Sequence, residues 1–149
     1  MCGIFGAYST KGRVTINEKE LKILTDTMLH RGPDGSGYVV ASNFAFGHRR
    51  LSIIDLSEKG QQPMYDKDRT VCIVFNGEIY NFQEIREELL ELGFLFDSNT
   101  DTEVILYSYK AWGMDCVKKF NGMFAFVLYD KKEKTFLLAR DRYGIKPLY

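Results

Sequence analysis

Cys2 stands directly behind the initiator methionine, at the head of the apolar stretch CGIFGAY. Once Met1 is removed, a single residue carries both a thiol and a free α-amino group, with reference pKa values of roughly 8.5 and roughly 7.7 to 8.0. The amine can therefore take the thiol proton near neutrality, and no distant histidine is needed to make a nucleophile. The plain alternative is a small apolar residue at a chain terminus. A second group lies in VFNGEIYNF. Asn-Gly between strands is most often a tight hairpin turn, but here a polar segment and a capped helix follow instead of a second strand. Asn76 and Gly77 could then offer a side-chain amide and a backbone N–H to one external oxygen, which is the composition of an oxyanion hole.

GHRRLSIIDLS places Arg49 and Arg50 before an apolar segment. Surface arginines are commonly just solvated, yet a guanidinium at a strand end can also clamp a carboxylate through two parallel bonds. Alternation alone leaves open which of the two points inward. Glu78 follows the Asn-Gly pair and Asp101 sits in a helix cap, where acidic residues are frequent for local reasons; together they could hold an ammonium. His30 and His48 lack the spacing of a zinc site, and YDKD and NTDTE lack the ligand pattern of a calcium loop, so no metal is expected. RGPDGSG follows a helix and lacks the Lys-Ser/Thr pair of a phosphate loop, which leaves it as a loop.

These residues need elements to hold them. CGIFGAY reads as a first strand. Asn17 and Glu20 form a capping box for a helix with Leu21, Leu24 and Met28 on one face. YVVAS, FAFGH and RLSIID have strand character, and TVCIVFN is a near-continuous apolar run suited to a central strand. Asn81 with Glu84, closed by Gly93, and Thr100 with Glu103, closed by Gly113, mark two further helices. A short helix over 114–120 precedes MFAFVLYD and TFLLAR, which flank the charged turn KKEK as a hairpin. Grouped strands with helices between them predict an α+β fold with mostly antiparallel sheet.

A chain of 149 residues with 45% hydrophobic and 27% charged side chains has the composition of one globular domain. Twenty basic and twenty acidic residues cancel, and no basic stripe is present, so nucleic acid is not an expected partner. Three widely spaced cysteines suggest neither a disulfide framework nor a CxxC metal site, and a reducing cytoplasm is the expected compartment. No apolar run reaches bilayer-spanning length, so no membrane association is expected.

Taken in order, MCGIFG, HRGPDGSG, HRRLSIIDLS, QQPM, FNGEIYN, DTEVIL, NGMFAFVLYD and RDRYGIKPLY closely resemble the N-terminal glutaminase domain of glutamine-hydrolysing asparagine synthetases, a class II amidotransferase pattern. The resemblance covers essentially the whole chain. It implies an N-terminal-nucleophile hydrolase fold, with two antiparallel sheets packed between helical layers. It further implies that Cys2 is the nucleophile, that Asn76 and Gly77 hold the oxyanion, and that Arg50 clamps the substrate α-carboxylate. Leu51 to Ile54 would form a pocket wall, and Glu78 and Asp101 would surround the α-ammonium. The expected reaction is hydrolysis of glutamine to glutamate and ammonia through a Cys2 thioester, with no cofactor. ATP and magnesium belong to the family's synthetase domain, whose SGG-type loop does not occur here. Against the family, residues 1–149 stop short of a complete glutaminase domain, so a synthetase domain or subunit that accepts the ammonia is an expected partner. Three other readings compete: a papain-like hydrolase pairing Cys2 with His48 or His30, a non-catalytic interaction domain, and ammonia supply to a different acceptor such as a sugar carboxylate.

Overall fold

The structure is a computed structural model and describes residues 2–149. Seven strands and three α-helices follow in the order β1 (Gly3–Tyr8), α1 (Glu18–Asp26), β2 (Gly35–Val40), β3 (Phe44–Arg50), β4 (Met64–Tyr65), β5 (Val71–Ile79), α2 (Phe82–Glu91), α3 (Asp101–Trp112), β6 (Gly122–Asp130) and β7 (Thr135–Arg140). One antiparallel sheet has the order β1-β3-β2 and the other the order β4-β5-β6-β7.

Strand alternation explains how the two sheets meet. On β5, Cys72 and Val74 point to one side and Val71, Ile73 and Phe75 to the other, because successive side chains leave opposite faces. Cys72 and Val74 join Phe44, Phe46 and Tyr129 in a core between the sheets. Val71, Ile73 and Phe75 pack instead with Ile85, Leu89, Ile105 and Leu106 of α2 and α3. Helix α1 covers the outer face of the first sheet, where the Thr25 side chain lies against Gly47. The layers thus run helix, sheet, sheet, helices. Each fully buried aromatic between them, Phe46 for example, contributes about 1.5–3 kcal/mol by leaving water.

The local signals hold where both partners sit within a few residues. Asn17 and Glu20 make both bonds of their capping box, and β6 and β7 pair across residues 131–134. Three expectations are corrected. RLSIID forms no strand: β3 ends at Arg50, and residues 51–57 form an irregular loop. Asn81 makes no side-chain cap. Its amide instead donates to the Lys119 carbonyl and accepts from the Asn121 N–H, so a tertiary pairing outcompetes the local one. RGPDGSG is only partly a loop, because Gly35, Ser36 and Gly37 belong to β2, and Asp34 accepts from the Ser52 N–H at 2.8 Å. At Thr100 half of the box forms: Thr100 accepts from the Glu103 N–H, but the Glu103 carboxylate turns back to the Asp97 and Ser98 N–H groups.

Candidate active site

A cleft at the end of the sandwich is lined by Cys2, Arg50, Leu51, Ile54, Asn76, Gly77, Glu78 and Asp101, among others. All eight residues proposed from sequence therefore meet in one place, although they come from four different stretches of chain. Cys2 immediately precedes β1, and its thiol lies against the start of the 51–57 loop: the Leu51 N–H points at Sγ from 3.4 Å, and Sγ lies 3.7 Å from the Leu51 carbonyl. Burial pushes the Cys2 thiol above its ordinary pKa, partly offset by the Leu51 N–H and the Arg50 charge. A thiol held protonated in this way needs a base before it can attack. Met1, whose removal would expose the α-amine, lies outside the described residues.

The histidines do not meet the thiol. His48 is fully buried between the sheets, with Nε2 3.2 Å from the Phe75 carbonyl, so that nitrogen carries the proton and donates. Its Nδ1 is buried with no hydrogen-bond partner among the described residues. Burial lowers its pKa to about 4, which keeps the ring neutral at physiological pH. His30 is exposed. The geometry therefore lends the competing papain-like pairing no support: the partners of the Cys2 thiol are backbone groups of Leu51, and His48 is a brace on β5.

The oxyanion pair is not a turn. Asn76 and Gly77 lie inside β5, which continues to Ile79. The β4 edge of this strand explains what they can do. Residues 71, 73, 75, 77 and 79 direct their backbone groups toward that edge, since the direction alternates along an antiparallel strand. Strand β4 is only two residues long and pairs with Cys72 and Ile73, so the edge beyond it needs other partners. The Phe75 N–H donates to Gln62 Oε1 at 2.6 Å, and the Ile79 N–H donates to an Asp101 carboxylate oxygen at 3.0 Å. Gly77 lies between them on the wall of the cleft, and among the described residues its N–H has no acceptor. A side chain at 77 would meet the Met123 carbonyl at 2.2 Å, and the residue adopts φ of 158°, so only glycine fits. Asn76 is buried beside it and lines the same cleft, its Oδ1 without a hydrogen-bond partner among the described residues.

Alternation also separates the two arginines. Arg50 shares the parity of Phe44, Phe46 and His48, and Arg49 that of Ala45 and Gly47 on the α1 side. Accordingly Arg49 Nε donates to the Gly32 carbonyl at 3.0 Å, and Nη1 lies 3.3 Å from Asp26. Arg50 lines the cleft, its guanidinium braced from behind by the Ser57 carbonyl at 2.8 Å and by the Asp55 carbonyl. Gly60 makes room for it, since a Cβ there would lie 2.2 Å from Nη2. Asp101 is 5% exposed, and burial, with the Glu78 charge adding to it, raises its pKa to about 6.

Sequence reading missed Gln62 and Asp55. The Asp55 carboxylate accepts from Ser57 and from the Asn99 N–H, which shapes the loop bracing Arg50. Gln62 lies in QQPM, one of the segments that carry the resemblance, but that segment pointed to no role for it. Among the described residues no group of three or more His, Cys, Asp or Glu could hold a metal ion, and no helix is long and apolar enough to cross a membrane.

A family model described as a glutamine amidotransferase domain matches residues 1–149. The asparagine synthetase [glutamine-hydrolyzing] 1 of Bacillus subtilis is 43% identical over 151 residues, covering 100% of this chain and 24% of that protein. The amidase chyE of Penicillium rubens is 39% identical over 159 residues, again covering 100% of this chain and 24% of the relative. The chain thus spans about a quarter of the length of these relatives. Among solved structures, the glutamine phosphoribosylpyrophosphate amidotransferase of B. subtilis superposes with a TM-score of 0.67 at 19% identity, covering 94% of this chain and 36% of that one. That likeness shows the fold, an N-terminal-nucleophile hydrolase sandwich of the αββα type.

Proposed function

The chain belongs to the glutamine amidotransferase domain family, and from that membership we propose that it hydrolyses the side-chain amide of glutamine, with Cys2 as nucleophile and its own α-amine as base. The observation that carries this reading is the convergence of the Cys2 thiol, the unclaimed Gly77 N–H and the Asn76 amide on one cleft. After loss of Met1, the amine takes the thiol proton and Sγ attacks the amide carbon. The oxygen, as it becomes anionic, gains hydrogen bonds from Gly77 and Asn76 that the ground-state carbonyl uses less well. The protonated amine then gives its proton to the departing nitrogen, ammonia leaves, and water resolves the thioester to glutamate. No cofactor enters these steps. Arg50 holds the α-carboxylate and Asp101 with Glu78 the α-ammonium, so both ends of the amino acid are read, while Leu51 and Ile54 form the wall between. ATP and magnesium belong to an ammonia-consuming synthetase domain or subunit. Asparagine is the product the synthetase relatives suggest, a sugar carboxylate the alternative acceptor, and the cytoplasm, with its reducing conditions, the proposed location.

The direct test incubates the processed chain with glutamine and measures glutamate and ammonia, then with an electrophilic glutamine analogue followed by peptide mass spectrometry. Release of both products and a single adduct on Cys2 are expected. A folded, processed chain that does neither is the non-catalytic interaction domain instead.

Two expected outcomes separate the binding roles. Arg50→Lys raises the glutamine KM by about tenfold or more, because a lysine keeps the charge but loses the paired donors, whereas Arg49→Lys leaves KM near the parent value. Equal changes in steady-state KM would remove Arg50 from the clamp. The second concerns pH. A bound ammonium favours the ionised form of Asp101, whose pKa in the empty protein is about 6. Glutamine affinity should therefore fall as pH drops below about 6, approaching tenfold per unit. The folding linkage has the opposite sign. With its pKa raised above the ordinary carboxyl value, Asp101's contribution to stability is full below that ordinary value and is lost as pH rises through about 6. KM measured from pH 5 to pH 8 should show this limb, and Asp101→Asn should raise KM at neutral pH and flatten it.

A further inference from the structure

We infer that Gln62 is a positioning residue for glutamine hydrolysis, a buried two-ended clamp that fixes the oxyanion-donor strand to the helix start carrying Asp101. The inference rests on the glutaminase reading above and names a residue to which that reading gives no part. Gln62 is 6% exposed and lines the cleft. Its Oε1 accepts the Phe75 N–H at 2.6 Å, and its Nε2 donates to Thr102 Oγ1 at 3.1 Å. Phe75 immediately precedes Asn76, and Thr102 immediately follows Asp101. The other polar backbone group of Phe75, its carbonyl, accepts from His48. Both backbone groups of the residue leading into the oxyanion pair are therefore held by buried side chains rather than by a neighbouring strand.

The arrangement has a physical purpose. A regular strand beside β5 would occupy the N–H groups of residues 75, 77 and 79 alike, and an edge left bare would let them shift with solvent. Side chains from Gln62 and Asp101 occupy 75 and 79 individually and leave 77 for a ligand. The same two contacts tie β5 to the first turn of α3 on either side of Gly77, so the donor and the ammonium site move as one body. Oxyanion donors act only within a few tenths of an ångström of their place, and a displacement near 1 Å costs on the order of a hundredfold.

The test uses the full processed chain and four variants. Gln62→Leu removes both arms, and we expect kcat for glutamine to fall about tenfold to a hundredfold with KM raised. Gln62→Glu keeps the acceptor for Phe75 and can accept the Thr102 hydroxyl proton, so kcat should return to within about threefold of the parent. Thr102→Val breaks only the α3 arm and should raise KM while kcat stays near the parent value. Gln61→Leu, at the exposed neighbouring position, should change neither. Residue-resolved amide exchange accompanies the kinetics: Phe75 should exchange faster in Gln62→Leu, a change that general loss of stability would spread over all of β5. A folded Gln62→Leu with parental kcat and KM, or Gln62→Glu as impaired as Gln62→Leu, overturns the clamp. Should Gln62→Leu not fold, an unchanged KM in Thr102→Val overturns it. If the parent chain itself hydrolyses no glutamine, the functional reading fails, and selective Phe75 exchange in Gln62→Leu still decides whether the clamp exists.

Discussion

Cys2→Ala abolishes glutamate release, and retention of Met1 lowers it by about 10²- to 10⁴-fold in protein that still folds. The reason lies in the environment of the thiol. Burial holds Sγ above its ordinary pKa, and the Leu51 N–H and the Arg50 charge only partly compensate. At neutral pH the group is a thiol, not a thiolate, so attack requires removal of a proton. His48 cannot remove it: its ring is bonded to the Phe75 carbonyl, and its pKa is about 4. An α-amine titrates near neutrality and is attached to the same residue, but an amide nitrogen, which Met1 or any N-terminal tag would create, accepts no proton there. The check compares glutamate release by the processed, Met1-retaining, Cys2→Ala and His48→Ala proteins, with the N-terminus verified by mass spectrometry. His48→Ala should lose activity only in proportion to the loosening of β5. Full turnover with Met1 in place would defeat the amine-as-base mechanism.

Asn76→Ala lowers kcat by about 10²- to 10³-fold with KM close to the parent value, and Gly77→Ala lowers it at least as far. The two losses have different origins. Alanine at 76 deletes the side-chain amide that lines the cleft beside Gly77. Alanine at 77 keeps the N–H but places a methyl carbon 2.2 Å from the Met123 carbonyl, so β5 must part from β6 and carry that N–H away from the cleft. Both act on the transition state, because the oxygen needs these donors most when it becomes anionic. Single-turnover and steady-state measurements on folded variants check the split. A raised KM with unchanged kcat in Asn76→Ala would move that residue from oxyanion stabilisation to ground-state binding.

Much of this architecture was legible from the chain because its signals are short. The Asn17–Glu20 box closes over three residues, and Gly93 and Gly113 end helices through their own positive φ values of 88° and 60°. The β6–β7 hairpin needs only two alternating runs and a charged turn. Cys2, Asn76 and Gly77 were likewise visible as candidates, because few other residue types can be a thiol beside an α-amine, a small amide donor or a side-chain-free N–H, and an arginine at 49 or 50 was visible as a planar cation. The motifs in their order gave the family. Tertiary structure decided the rest, wherever two partners lie tens of residues apart and compete with a local alternative. Asn81 has the sequence of a cap, yet its amide is taken by Lys119 and Asn121, about forty positions on. RLSIID has the apolar content of a strand, but Leu51 is drawn to the Cys2 thiol and Asp55 to Asn99, and no neighbouring strand is left to pair with it. Arg49 and Arg50 are chemically the same. Only the packing of Phe44 and Phe46 between the sheets fixes the parity that sends one to Asp26 and the other to the cleft. Gln62 is the clearest case, since nothing within hydrogen-bonding reach along its own sequence marks it. Its two partners stand 13 and 40 residues away and become neighbours only when β5 and α3 pack, because a backbone N–H left at a buried strand edge must find an acceptor and the fold has brought this one beside it.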